Sequence, residues 1–253
     1  MEDYTPKIPQ DHIPIIIETF FDIGDELIIP EDEGKGFFSW GNDIRMGRII
    51  WLLLRRYNDK NKRFEILKNG FETGRAISMM VKGLISFWKQ HGKYRGTKKS
   101  DKDILLDEDD LETLQGIVLD KIKEVAKEDR LLNTPFLPLV LRVWKEWGNE
   151  DEARDWVSKV VASDEKLPIF LSKFLQKTSS ETITDRVAKI QDFVDLDVLE
   201  KRCKEVLSNE SVVTILDDEQ KLAIKQFLGR KHLLDKGKNP DAPFFTEKLE
   251  KDD

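Results

Sequence analysis

The chain has few of the residues from which compact chemical sites are usually built. It contains one cysteine, Cys203, and three histidines in 253 residues. A single cysteine excludes an intramolecular disulfide and a cysteine-cluster zinc site. His12, His91 and His232 stand too far apart in the sequence to show a metal-ligand spacing. The sequence therefore predicts no metal site, a buried Cys203 that acts as a small hydrophobic residue, and solvated side chains for His91 and His232.

Long apolar runs are also missing. The longest are residues 49–54 and 15–17, whereas a helix that crosses a bilayer needs about 20 apolar residues. The N-terminus, MEDYTPKIPQD, is polar and acidic, and it lacks the basic and then apolar segments of a signal peptide. We therefore expect no transmembrane helix and a cytoplasmic location.

Sequence patterns of common catalytic sites are absent as well. A phosphate-binding loop requires glycine, four residues, and then Gly-Lys-Ser/Thr, but Gly34-Lys35-Gly36 runs directly into Phe37 and Phe38 without a preceding strand. No histidine stands in a pattern with serine or cysteine that indicates a nucleophilic triad. The sequence predicts no catalytic residue and no cofactor, and we do not expect the chain to be an enzyme.

Helical periodicity is present along nearly the whole chain. Hydrophobic residues make up 39% and charged residues 36%, which indicates a packed core under a heavily charged surface. The spacing of the apolar residues predicts an all-α fold, with about ten helices in an irregular multi-helix bundle. The one strand-like run, VVTIL at 212–216, cannot form a sheet alone.

The predicted helices and breaks suggest an organisation along the chain. The parts are an N-terminal extension (1–12), an N-terminal helical part (13–106) containing an irregular connection (23–41) and a basic loop (91–106), a C-terminal helical part (107–230), and a loose charged tail (231–253). An irregular connection this long is often functional. The acidic run at 107–110 should begin a helix that ends near Lys127, and we expect Asn133, Asn149 and Ser163 to cap the next three helices.

The first candidate site lies on either side of the irregular connection. Its residues, proposed for partner or regulatory binding, are Asp22, Asp25, Trp40, Asn42, Asp43, Arg45 and Arg48. Arginines at such a site can bind a phosphate or a carboxylate, and Trp40 is the tryptophan best placed to line a partner surface. The alternative hypothesis is an internal salt-bridge latch that fixes the connection.

The second candidate site is the basic loop. Its residues are Lys93, Tyr94, Arg95, Lys98, Lys99 and Lys102. They suit contact with an acidic partner surface, and the aromatic residue beside cations also suits single-stranded nucleic acid. The net charge of −7 opposes a dedicated polyanion binder, so nucleic-acid contact is expected to be weak and strongly salt-dependent.

Three phrases in the sequence carry a family resemblance. They are FFDIGDELIIPEDEGKGFFSWGNDIRMGRII, LLNTPFLPLVLRVWKEWGNEDEARDWVSKVV and SDEKLPIFLSKFL. In matching order, over roughly residues 13–230, they resemble the helical C-terminal region of bacterial KAP-family P-loop NTPases. In that family this region follows an ATPase core.

The resemblance implies a function without catalysis in this chain. The KAP family is linked to prophages, plasmids and phage exclusion, and some members are associated with membranes. The Walker motifs and their α/β core are missing here, so ATP hydrolysis is not transferred. We expect a regulatory or interaction domain of a KAP-like NTPase whose core is supplied in cis or in trans, with antiphage defence as one candidate setting. The alternative is a nucleic-acid-binding helical module that uses the basic loop at 93–102.

Overall fold

The fold is all-α, as predicted. The structure is a computed structural model that describes residues 8–27, 42–92, 104–176 and 182–235. These residues form twelve α-helices and several short 3-10 turns, without a strand. The helices are α1 (His12–Ile23), α2 (Asn42–Arg56), α3 (Arg63–Thr73), α4 (Ile77–Trp88), α5 (Glu108–Lys127), α6 (Leu137–Trp147), α7 (Glu150–Ala162), α8 (Lys166–Leu175), α9 (Ile183–Ile190), α10 (Leu196–Ser208), α11 (Glu210–Val213) and α12 (Asp218–Asp235). None of the helices described here has the length and apolar character needed to cross a membrane.

The chain divides into two compact units, residues 1–153 and 154–253. The structural division thus follows residue 153, whereas the division proposed from the sequence follows residue 106. Helix α5 belongs to the first unit because its buried stripe packs against α3 and α4. That stripe includes Leu111, Leu114, Val118 and Ile122, all fully buried.

Helix α4 is the central element of the first unit. It contacts α2, α5 and α6, while α1 packs on α3. Every residue of α4 except Ser86 is buried, which is the pattern of a helix enclosed by its neighbours on all sides. Two of these buried residues, Ser78 and Lys82, are polar, and both bear on the candidate site.

The second unit is built around α12. This helix packs on α8, and it also contacts α9 and α10. Phe227 of α12 is fully buried, as is Cys203 of α10, whose pKa is raised to about 12 by burial. Because α12 continues to Asp235, residues 231–235 are helical and are not part of a loose tail.

The capping predictions have mixed outcomes. Asp107, Asn149 and Ser163 each accept a hydrogen bond from a backbone amide two or three residues later, at 2.8 to 3.3 Å. Asn133 is not a cap, because it ends a 3-10 turn and α6 begins only at Leu137. The intervening Phe136 has a left-handed backbone conformation, with φ of 57°, so the chain turns sharply before the helix starts.

Candidate functional site

The end of α1 lies directly against the start of α4. The carbonyl oxygen of Phe21 accepts hydrogen bonds from the backbone amides of Arg75, at 2.9 Å, and Ala76, at 2.8 Å. The 3-10 turn Gly24–Leu27 follows α1 and packs on α4. We call residues 21–26 and 74–79 together the α1–α4 corner. It fixes the start of the irregular connection.

The side chain of Asp25 caps α4 from a distant part of the sequence. Its carboxylate accepts hydrogen bonds from the backbone amides of Ser78, at 3.2 Å, and Met79, at 3.3 Å. Amides in the first turn of a helix have no partner within the helix, and the N-cap residue itself, Ala76, supplies no side-chain acceptor. Asp25 therefore satisfies donors that the local sequence leaves unpaired.

The electrostatic state of Asp25 follows from its surroundings. Burial raises its pKa from the ordinary 3.8 to about 6, although the two amide hydrogen bonds and the charge of Lys82 favour the ionised form. Desolvation therefore outweighs the hydrogen bonds and the cation in this environment. The protonation state of Asp25 is therefore expected to change near pH 6.

Asp22 makes a different contact at the same corner. Its Oδ1 lies 3.1 Å from Nε of Arg75, and the two side chains are 45% and 80% exposed. Ion pairs this exposed contribute about 0–1 kcal/mol. Asp22 and Asp25 thus both contact other parts of the same chain, Asp22 through an ion pair and Asp25 through hydrogen bonds to backbone amides. Their roles in partner binding stay predictions.

Glycines allow the backbones to approach closely at this corner. A Cβ atom at Gly74 would lie 2.6 Å from the carbonyl oxygens of both Gly70 and Phe21. A Cβ atom at Gly70 would lie 2.7 Å from the Phe21 ring. That ring is fully buried and packs edge-on against Phe71, with 4.6 Å between the centroids. Larger residues at either glycine would push α1 away from α3 and α4.

Two buried polar side chains connect α4 to the segment before α6. The hydroxyl of Ser78 donates a hydrogen bond to the carbonyl oxygen of Pro135. Nζ of Lys82 lies 2.9 Å from the centroid of the Phe136 ring, a cation–π contact. Neither residue was predicted from the sequence. Their signal was the presence of serine and lysine four residues apart in the first half of a helix that is otherwise apolar up to Ile85.

The other residues of the first candidate site cannot be compared with the structure. Trp40 lies outside the described residues. Asn42, Asp43, Arg45 and Arg48 lie in the first two turns of α2, and their side chains are also outside the described part. Their proposed roles stay predictions.

The base of the basic loop is described by the structure. The proposed residues of the loop lie outside the described part, and they are Lys93, Tyr94, Arg95, Lys98, Lys99 and Lys102. Nε2 of His91 lies 3.0 Å from the carbonyl oxygen of Leu106, and Nδ1 lies 3.5 Å from Glu108. The His91 side chain is only 8% exposed, so the expectation of a solvated histidine was wrong. Residues 104–106 thus return to the 3-10 turn Lys89–His91 that follows α4, and the Leu105 amide donates a hydrogen bond to the Gln90 side chain at 3.2 Å.

The second unit has an open surface depression beside α10 and α11. Its lining carries both signs of charge and includes Asp197, Glu200, Lys201, Lys204 and Glu205. Among the residues that the structure describes, no group of three or more histidine, cysteine, aspartate or glutamate side chains has the arrangement of a metal site. The α1–α4 corner remains the best-defined of the predicted sites.

Comparison with family models, curated proteins and solved structures finds no match to this chain.

Proposed function

We propose that the chain is a non-catalytic helical regulatory or interaction domain that works with a KAP-like P-loop NTPase core. The observation that carries the proposal is the order of the three resembling phrases over roughly residues 13–230. An all-α fold is compatible with a domain of this kind. The core is supplied in cis or in trans, and antiphage defence is one candidate setting.

The geometry of the α1–α4 corner narrows the proposed contact surface. Asp25 caps α4, and Asp22 pairs with Arg75, which supports an internal role for both carboxylates. The partner contacts are then assigned to the far end of the connection and the start of α2. These residues are Trp40, Asn42, Asp43, Arg45 and Arg48. The arginines would bind carboxylate or phosphate groups of the NTPase core.

The test is binding to a KAP-like NTPase core, taken from the same reading frame or from a neighbouring gene. We expect the chain to bind that core and to change its rate of ATP hydrolysis. Arg45→Ala and Arg48→Ala should each weaken binding about tenfold, as loss of a charge-assisted contact does, with the melting temperature unchanged. Arg75→Ala is the matched control and should keep binding, because Arg75 pairs with Asp22 at the surface.

Other outcomes would contradict this proposal. If Arg45→Ala lowers the melting temperature and leaves binding intact, Arg45 belongs to an internal latch. If the chain neither binds the core nor changes the core's rate of ATP hydrolysis, the proposed NTPase partnership is wrong. If a single-stranded oligonucleotide binds at low salt and Lys98→Ala with Lys99→Ala abolishes that binding, the nucleic-acid alternative is supported.

A further inference from the structure

We propose that Asp25 is a proton-responsive latch that fastens the 3-10 turn Gly24–Leu27 to the first turn of α4. The inference concerns the chain alone, and it holds whether or not the proposed NTPase partner exists. In the closed latch the Asp25 carboxyl group accepts hydrogen bonds from the Ser78 and Met79 backbone amides. In the open latch the turn leaves α4 and the carboxyl group is hydrated.

The latch lies next to a fixed anchor. On its N-terminal side, the Phe21 carbonyl holds the end of α1 through the Arg75 and Ala76 amides. Gly24 lies between this anchor and the latch, and its backbone packs so closely on Met79 that a Cβ atom would overlap that side chain. The turn therefore stays on α4 through the side chain of Asp25 and this close backbone contact.

The charges around Asp25 come from each element that packs on the turn. From α4, Lys82 favours the ionised carboxylate, while its Nζ also contacts the Phe136 ring. From α1, Asp22 points to Arg75 at the surface. Within the turn itself, Glu26 is exposed. Lys82 is thus the charged side chain that acts on Asp25 from within the core. Its effect on the pKa of Asp25 is smaller than the opposing effect of burial.

The direction of the response follows from these energetics. The closed latch holds Asp25 with a pKa of about 6, against an ordinary value of 3.8 when the group is hydrated. Proton uptake therefore favours closure, and ionisation favours opening. From these two values the equilibrium constant for opening should be about tenfold larger at pH 7.5 than at pH 5.

The test is hydrogen exchange at the Ser78 and Met79 amides of the full chain, with each rate corrected for its intrinsic pH dependence. In the wild type the opening constant should rise about tenfold from pH 5 to pH 7.5. Asp25→Asn keeps an acceptor oxygen but does not ionise, so its opening constant should change by less than about twofold. Asp22→Asn removes a carboxylate from the same corner and should keep the wild-type response.

Two results would overturn the latch. One is a wild-type opening constant that does not change with pH, or that increases on acidification. The other is an Asp25→Asn variant with the same pH dependence as the wild type. If Asp25→Asn does not fold, the carboxyl carbon of Asp25 is titrated by NMR in the wild type. A midpoint near 6 that also shifts the Ser78 and Met79 amide resonances supports the latch, and a midpoint near 4 contradicts it.

Discussion

The ammonium group of Lys231 lies 2.8 Å from the Glu200 carboxylate, and it is equally close to Asp197 and Asp235. Lys231 is only 4% exposed, so three acidic groups surround a nearly buried cation. Their hydrogen bonds raise the pKa of Lys231 far above its ordinary value and keep it charged. The contact joins α10 to the C-terminal part of α12. Lys231 and Asp235 belong to the segment 231–253, which was predicted to be a loose tail.

Replacing Lys231 should destabilise the second unit. We expect Lys231→Met to lower the free energy of unfolding by about 2 kcal/mol, because it leaves three neighbouring carboxylates without their shared cation. The measurement is urea denaturation of the full chain. Lys204→Met is the matched control, since Lys204 also pairs with Glu200 but its side chain is 64% exposed. The control should cost less than about 0.5 kcal/mol, and equal losses for the two variants would contradict the prediction.

Glu200 should make the stability of the second unit sensitive to acid. Hydrogen bonds from Lys204 and Lys231 lower its pKa from 4.5 to about 2. A carboxylate whose pKa is depressed by folding stabilises the protein above its unfolded pKa. That contribution should be complete above pH 4.5 and should be lost as the pH falls from there to about 2. The free energy of unfolding of Glu200→Gln, measured by denaturation at several pH values, should lack this loss between pH 4.5 and about 2. If the variant shows the same pH dependence as the wild type, a group other than Glu200 is responsible.

The features that the sequence predicted correctly depend on neighbouring residues. The acidic run before α5 predicts its start because the Asp107 side chain reaches an amide three residues later. Asn149 caps α7 over the same short distance, and the Ser163 hydroxyl accepts a hydrogen bond from the amide of Lys166, the first residue of α8. Apolar periodicity is likewise a property of adjacent turns, which is why it predicted the all-α fold correctly.

The features that the sequence analysis missed depend on contacts between distant residues. Asp25 caps an amide 53 residues later, and no local pattern indicates which helix start an aspartate will reach. The His91 side chain is largely enclosed and contacts the Leu106 carbonyl oxygen, 15 residues later. Lys231 is buried where α12 meets the acidic side chains of α10. From the sequence, Asp25 was proposed for partner binding or a latch, His91 was expected to be solvated, and Lys231 was placed in a loose tail. The fold instead supplies hydrogen-bond partners for all three side chains.

Removing the charge of Asp25 should stabilise the first unit near neutral pH. Because folding raises its pKa from 3.8 to about 6, ionised Asp25 opposes folding above pH 6, and this cost disappears as the pH falls to 3.8. Asp25→Asn should therefore be more stable than the wild type by about 1–2 kcal/mol at pH 7.5 and should lose this advantage near pH 4. The measurement is guanidinium denaturation at both pH values, with Asp22→Asn as control. An Asp25→Asn variant less stable than the wild type at pH 7.5 would show that the charge itself is needed for the cap.

Two glycines of the first unit should respond oppositely to alanine. Gly74→Ala should cost about 2 kcal/mol or more, because the new methyl group would lie 2.6 Å from the Gly70 and Phe21 carbonyl oxygens, which belong to the backbone and cannot rotate away. Gly116 lies in the exposed middle of α5, and among the described residues no atom outside the backbone of its own helix lies within 4 Å of a Cβ placed there. Gly116→Ala should therefore stabilise the chain by about 0.5–1 kcal/mol through helix propensity. Thermal denaturation of both variants checks the pair. A Gly74→Ala variant as stable as the wild type would show that α1 and the α3–α4 connection can separate at little cost, which is the opposite of the rigid anchor that the Asp25 latch requires.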